Sequence, residues 1–274
     1  MTLEDSIFLN KRQVCHSFDK AALTYNQHAQ LQQRIEQELL ERLQAMSLNA
    51  WRIADMGAGT GGLSQALRQH YPQALIYSVD LSQQMLKQAQ KRVSRWFSRQ
   101  WMICADAVQL PVADHSIDLI VSNLMLQWCP QTETVFTEWV RILKPEGRLL
   151  FSTFGPDTLQ ELRHSWATVD KASHVNHFWD LHTLGDQLVA AGFKDPVLDI
   201  DWLTWRYQTV FQLMQTLKHI GAHNVTLKRP RGLTGKHKLQ AMIAAYEHYR
   251  LADGYLPVTY EVIYGYALGS QLVR

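Results

Sequence analysis

Three aspartates and a cluster of glycines carry the clearest chemistry in this chain. The stretch IADMGAGTGGLS, residues 53–64, passes from an apolar run through Gly57, Gly59, Gly61 and Gly62 into the helical pattern LSQALRQHY. Glycines in such a turn leave no Cβ where the backbone must bend sharply and approach a ligand. Asp55 stands two residues before the first glycine, where a carboxylate can hold a ligand ammonium. Asp80 ends the next apolar run, ALIYSVD, about 20 residues beyond Gly57, where a strand-tip carboxylate can accept hydrogen bonds from both hydroxyls of a ribose. Asp106 follows WMICA and is placed to meet an adenine amino group. Leu81, Ala107 and Asn123 complete the expected cofactor set. The glycines alone also read as G-x-G-x-x-G, so their spacing does not separate a dinucleotide site from a site for S-adenosylmethionine. The ammonium that S-adenosylmethionine has and NAD lacks gives Asp55 its weight. The competing reading makes these residues ordinary turn and helix-capping aspartates.

Such acids need strands that end side by side. Strand and helix patterns alternate to about residue 154: RIADM, a helix over 62–70, LIYSV, a helix over 82–93, WMICA, DLIVS, a helix over 131–142, and RLLFSTF. This alternation predicts a parallel sheet with crossover helices. Helices are also predicted over 158–169 and over 181–193, the second with Gly192 as its C-terminal cap. PVLDIDWLTWRY (196–207) and TYEVIYGYAL (259–268) alternate as a sixth and a seventh strand. Ahead of the sheet, residues 9–27 read as helical with a break near Thr24–Asn26. Residues 28–46 form an amphipathic helix with Leu31, Ile35, Leu39, Leu43 and Met46 on one stripe. The Gln-rich run from Gln27 to Gln37 reads as helix surface.

Composition bounds the class. The chain has 274 residues, 46% of them apolar and 19% charged, enough for one elaborated domain or a domain with a lid. No apolar run reaches the roughly 18 residues of a membrane span, and the N-terminus MTLEDSIFLNKRQ reads as no signal peptide. Cys15, Cys104 and Cys129 are far apart and lack C-x-x-C spacing, so neither a disulfide framework nor a metal site is expected, and a reducing cytoplasm fits best.

With IDLIVSNLMLQW (117–128) and LKPEGRLLFST (143–153), the pattern over roughly residues 48–154 resembles the class I S-adenosylmethionine-dependent methyltransferases. That resemblance implies an α/β Rossmann-like fold with a seven-stranded sheet whose last strand is antiparallel. It matches Gly57, Gly59, Asp80 and Asp106 to cofactor-contacting positions. Further stretches, among them VCHSFDKAALTYNQHAQLQ (14–32), STFGPDTLQELRHSW (152–166), HVNHFWDLHTLGDQLVAAGFKDPVLD (174–199) and GYLPVTYEVIYGYA (254–267), resemble the malonyl-acyl-carrier-protein O-methyltransferase family of biotin synthesis. The family often has Tyr-Asp where this chain has Tyr25-Asn26, so no carboxylate role is assigned there. The implied reaction methylates the free carboxylate of a malonyl thioester on acyl carrier protein. It needs no general base, because that carboxylate is ionised at neutral pH, and no metal. Methylation of a small free polyacid, or a non-catalytic role as an assembly factor, are the alternatives.

The resemblance divides the chain into an N-terminal helical segment (1–47) closing over the cofactor, the methyltransferase domain (48–207 and 259–274) and an inserted helical lid (208–258). Residues 202–246 contain no Asp or Glu but seven Lys or Arg, including Arg206, Lys218, Lys228, Arg229 and Arg231. A basic surface beside a site steers an acidic partner such as acyl carrier protein. A solvated face is the plainer reading. The adenine-methylating N/D-P-P-aromatic motif is absent after the fourth strand, where the chain reads Ser122-Asn123-Leu124-Met125, which speaks against nucleic acid. Candidates for holding the substrate are Tyr25, Trp128, His174, His177, Arg206, Arg229 and Arg231. The two aromatics could equally be core residues, and the histidines helix caps.

Overall fold

In the computed structural model, residues 9–93, 99–222 and 235–270 are described. Two helices, α1 (Lys11–Ala21) and α2 (Tyr25–His28), lead into the longer α3 (Gln30–Ala45). The sheet region follows as β1 (Arg52–Met56), α4 (Gly62–His70), β2 (Leu75–Asp80), α5 (Gln83–Gln90), β3 (Gln100–Cys104) and β4 (Ile117–Asn123). A 3-10 turn, Leu126–Trp128, then leads to α6 (Thr132–Ile142), β5 (Leu143–Phe154), α7 (Gln160–Ala167), α8 (Leu181–Ala191) and β6 (Lys194–Tyr207). The insertion contributes α9 (Val210–His219) and α10 (Lys236–Glu247) before β7 (Leu256–Leu268).

The seven strands lie in the order β3-β2-β1-β4-β5-β7-β6. β1 to β5 pair in parallel, whereas β7 runs antiparallel between β5 and β6. The order reverses at β1, with β2 on one side and β4 on the other. In an open α/β sheet the ligand crevice opens there, above the carboxyl ends of the strands. Register brings the expected acids to that edge: Asp55 pairs with Ser78, and Asp80 with Cys104.

Each face of the sheet is covered because its helices carry apolar stripes. On one face α3 buries Leu31, Ile35, Leu39 and Leu43, the stripe expected from spacing, with Met46 packed against that core. Leu67 of α4 and Tyr246 of α10 join it. On the other, Phe136 and Trp139 of α6 pack with Leu188 of α8 and Phe193. Asp180 caps α8 by accepting from the Thr183 amide, and Gly192 ends it with φ +97°. The sheet leaves no slack beneath Phe151, which stands opposite Gly265 in the β5–β7 register. A Cβ on Gly265 would overlap that ring. Gly265→Ala is therefore expected to cost about 1–3 kcal/mol by overpacking. Chemical denaturation checks this, and an unshifted midpoint would contradict it.

Candidate functional site

The glycine turn is built on hydrogen bonds from its own strands. The Gly57 and Ala58 amides both donate to the Val79 carbonyl at 2.9 Å, which folds the turn back over β2. Gly57 has φ +76°, and a Cβ there would overlap Met125, so only glycine fits. Asp80 closes the turn: its Oδ2 accepts from the Gly59 amide at 2.8 Å and its Oδ1 from the Ser82 amide at 2.7 Å. Burial pushes the Asp80 carboxyl up to about 6, against the downward pull of those amides. Asp55 is wholly buried. Its Oδ2 accepts from Ser64 Oγ at 2.5 Å, while Oδ1 has no hydrogen-bond partner among the described residues. Burial raises its pKa to about 7, with the charges of Glu36 and Asp80 adding to the rise. Glu36, from α3, is itself raised by burial to about 7.

The N-terminal helices lie across these strand ends. Asp19 of α1 accepts from Ser82 Oγ at 2.6 Å, and Lys11 Nζ donates to Asp106 Oδ2 at 2.8 Å. Asn26, where the carboxylate was expected to be missing, accepts from Thr60 Oγ1 at 2.6 Å and so anchors the glycine turn. Asn123 Nδ2 donates to the Gln32 carbonyl at 3.1 Å, tying the tip of β4 to α3.

Three connected hollows result. One hollow, of about 130 Å³ at the strand ends, is lined by Asp80, Leu81, Asp106, Ala107 and Met85. A polar one beside it holds Asp55, Glu36, Gly57, Gly59 and Arg92. The third, of about 380 Å³, is walled mainly by aromatic and aliphatic groups such as Phe178, Trp205, Tyr207 and Leu217. Tyr25 and Asn123 border the first two. Tyr25 is held protonated by burial and by the charges of Asp80 and Glu36, which makes its hydroxyl a donor. Trp128, Gln127 and Phe154 stand between the first and the third, and Gln32 lines all three. This geometry fits an ammonium-bearing nucleoside: Asp55, with a carboxylate oxygen that has no hydrogen-bond partner among the described residues, lines the polar hollow, and Asp80 and Asp106 line the one beside it.

Comparison with known proteins agrees. A family model described as "Methyltransferase domain" matches residues 54–151. The malonyl-[acyl-carrier protein] O-methyltransferase of Gallionella capsiferriformans is 44% identical over 264 residues, covering 94% of this chain and 91% of that protein. The enzyme of the same name from a Methylovorus species is 45% identical over 272 residues, covering 97% and 92%. The chain belongs to the malonyl-[acyl-carrier protein] O-methyltransferase family. In fold it is similar to the YcgJ protein of Bacillus subtilis, with a TM-score of 0.62 at 18% identity over 85% of this chain and 98% of that one.

Within this member of the methyltransferase family, several residues singled out from sequence lie elsewhere than expected. Gly61 lines none of the three hollows. It has φ +81°, and a Cβ on it would sit 2.8 Å from Ala89 Cβ, so it lets α4 approach α5. Arg206 pairs with Asp253 at 2.6 Å on the solvent side of β6. Strand alternation turns its neighbours Trp205 and Tyr207 into the apolar hollow and Arg206 away from it. His177 borders a separate depression with Arg163 and Asp170, and burial, then the Arg163 charge, lowers its pKa. His174 does reach the apolar hollow, but as part of its wall. Its ring stacks on Trp166 at 3.8 Å, and Nε2 meets Asp170 at 2.8 Å. Lys238 of α10 holds the other Asp170 oxygen at 2.9 Å, and these two partners keep that carboxyl well below the usual range. Arg229 and Arg231 lie outside the described residues. Gln32, Glu36, Asn26 and Lys11, by contrast, were not read as site residues and stand at the hollows or on the turn between them.

Proposed function

We propose that this protein transfers a methyl group from S-adenosylmethionine to the free carboxylate of a malonyl thioester carried by acyl carrier protein. The observation that supports this most is the meeting of the acid-lined hollow and the apolar one at a shared wall of Gln32, Trp128 and Phe154. The cofactor, when bound, supplies an electrophilic sulfonium methyl. Asp80 accepts from the ribose hydroxyls, Asp106 faces the adenine, and Asp55 with Glu36 holds the ammonium. Tyr25 donates toward the methionine end from the N-terminal segment 1–47. The substrate's carboxylate oxygen forms a bond to the methyl carbon while the carbon–sulfur bond breaks and its electron pair stays on sulfur. No proton moves, so the chain's work is alignment and exclusion of water. The product has lost its charge, which suits the priming role in biotin synthesis that the family name implies.

Among the described residues no helix is long and apolar enough to cross a membrane, and no group of His, Cys, Asp or Glu could hold a metal ion. The decisive experiment offers the protein labelled S-adenosylmethionine with malonyl-carrier, malonyl-CoA and free malonate. Transfer to the thioesters supports the reading. Transfer to free malonate alone favours the small-polyacid alternative, and no transfer at all favours an assembly role.

The carrier's approach follows the charge. α9 leaves β6 and covers the apolar hollow with Met214, Leu217 and Ile220, while His219 stacks on His28 of α2 at 4.3 Å. Between α1 and α9 lies a depression bordered by His16, Lys20, Lys218 and His219, with no carboxylate among the described residues that line it. An acidic carrier docking there would have a short path to the hollow. Replacing Lys20 and Lys218 with Glu is expected to raise KM for malonyl-carrier several-fold, roughly 1 kcal/mol or more in total, with SAM affinity unchanged. Malonyl-CoA should respond less. Equal losses on both thioesters would place the two lysines at the acyl group instead.

A further inference from the structure

An anion must be held beside the methyl group, yet no Lys or Arg is among the described residues that line the apolar hollow. Lys11, the cation at the cofactor hollow, is engaged with Asp106. The groups at the meeting point of the hollows are neutral. Gln32 stands there on the first turn of α3, fixed by its backbone carbonyl's bond from Asn123. Its Oε1 is buried, and among the described residues neither that oxygen nor Nε2 has a hydrogen-bond partner. A buried amide oxygen without a partner is costly unless something else completes it. Across the same junction stands Trp128, its ring held edge-on against Phe18 at 5.2 Å. Its indole Nε1 likewise has no acceptor among the described residues. Gln127, the other amide at this wall, is already spent: it donates to the Leu124 carbonyl and accepts from Thr153.

Resting on the carboxyl-methylation reading above, we propose that Gln32 and Trp128 form a neutral two-donor clamp for the substrate carboxylate. Gln32 Nε2 and Trp128 Nε1 each donate to the carboxylate and turn its free oxygen toward the methyl group. Both are rigidly mounted, one on the helix tied to β4 and one on the turn that follows it. Neutral donors suit this chemistry for two reasons. A lysine or arginine paired with the carboxylate would draw charge from the attacking oxygen. A buried cation would also be left unpaired beside the neutral ester product, which costs far more than leaving a neutral N–H donor there. The clamp selects for a terminal carboxylate: an acetyl thioester of the same carrier fills the hollow but offers it no anion.

The test measures binding of malonyl-carrier and acetyl-carrier to the protein saturated with S-adenosylhomocysteine, by calorimetry, for the parent, Trp128→Phe and Gln32→Leu. Phe keeps the ring and loses the N–H, and Leu keeps the bulk and loses the amide. Each variant is expected to lose about tenfold of the preference for malonyl over acetyl, as removal of a hydrogen bond to a charged group predicts, with acetyl-carrier affinity held within about twofold. Thermal unfolding of the ligand-free proteins serves as the check on folding. Should Gln32→Leu fail that check, Trp128→Phe decides alone. An undiminished malonyl preference in a folded Trp128→Phe protein overturns the clamp, and if the parent still methylates malonyl-carrier the proposed function stands without it. A parent that neither discriminates nor methylates overturns both.

Discussion

An Asp80→Ala protein is expected to bind S-adenosylmethionine roughly tenfold to a hundredfold more weakly than its parent, because a hydrogen bond to a charged group is worth about 1.5–3 kcal/mol. Asp80 stands at the end of β2, with one oxygen on the Gly59 amide and the other on the Ser82 amide. Each carboxylate oxygen has a further lone pair for a ribose hydroxyl. The substitution therefore removes two things at once, the acceptors for the ribose and the strut that holds the glycine turn against α5. Asp80→Asn separates them. An amide can accept from one of the two backbone N–H groups but not both, so it is expected to recover part of the turn and little of the ribose affinity. Thermal unfolding of the cofactor-free proteins shows whether the fold survived, and calorimetry gives the affinity. A folded Asp80→Ala protein with the parent's affinity would remove Asp80 from the cofactor site.

Much of the fold was legible because it is written in local periodicity. The α3 stripe, the glycine turn and the alternating strands each follow from neighbours in sequence, and α8 ends where Gly192 permits a positive φ. The acids were legible for the same reason: a parallel sheet places consecutive strand tips on one edge. The helical side of the site was not. The Gln27–Gln37 run has the composition of a solvated surface, and for Gln33 and Gln37 that reading holds, since both are exposed. Gln32 and Glu36, one turn apart, flank the buried stripe of Leu31 and Ile35 on the side that α3 lays over the strand ends. Nothing local marks them, because the packing of α3 across the sheet decides which edge of its stripe meets a ligand. Arg206 is the opposite case. Its charge and its place near the lid were legible, but β6 alternation gives the inward positions to Trp205 and Tyr207.

Cofactor affinity is expected to rise by up to about tenfold between pH 6 and pH 7.5, as one buried carboxyl gives up its proton to bind. Burial raises Asp55 and Glu36 to about 7 and Asp80 to about 6, above the ordinary carboxylate range. The sign for stability follows directly. In the cofactor-free protein these groups hold protons that the unfolded chain releases near pH 4, so folding binds protons between about pH 4 and pH 7. Their contribution to stability is complete below that window and is lost as pH rises through it. A cation bound beside Asp55 and Glu36 favours the ionised forms and reverses the penalty. The cofactor should thus raise the melting temperature more at pH 7.5 than at pH 6. Calorimetry at pH 6.5 in buffers of different ionisation heat should read proton release on binding. Asp55→Asn and Glu36→Gln should each reduce that release along with the affinity. The methyl-transfer step, followed in single turnover at saturating cofactor, should stay flat from about pH 6.5 to 8.5, since the nucleophile is ionised throughout. Binding without proton release would show that these carboxyls do not face the ammonium. A bell-shaped transfer step would mean that a titrating base takes part in the chemistry after all.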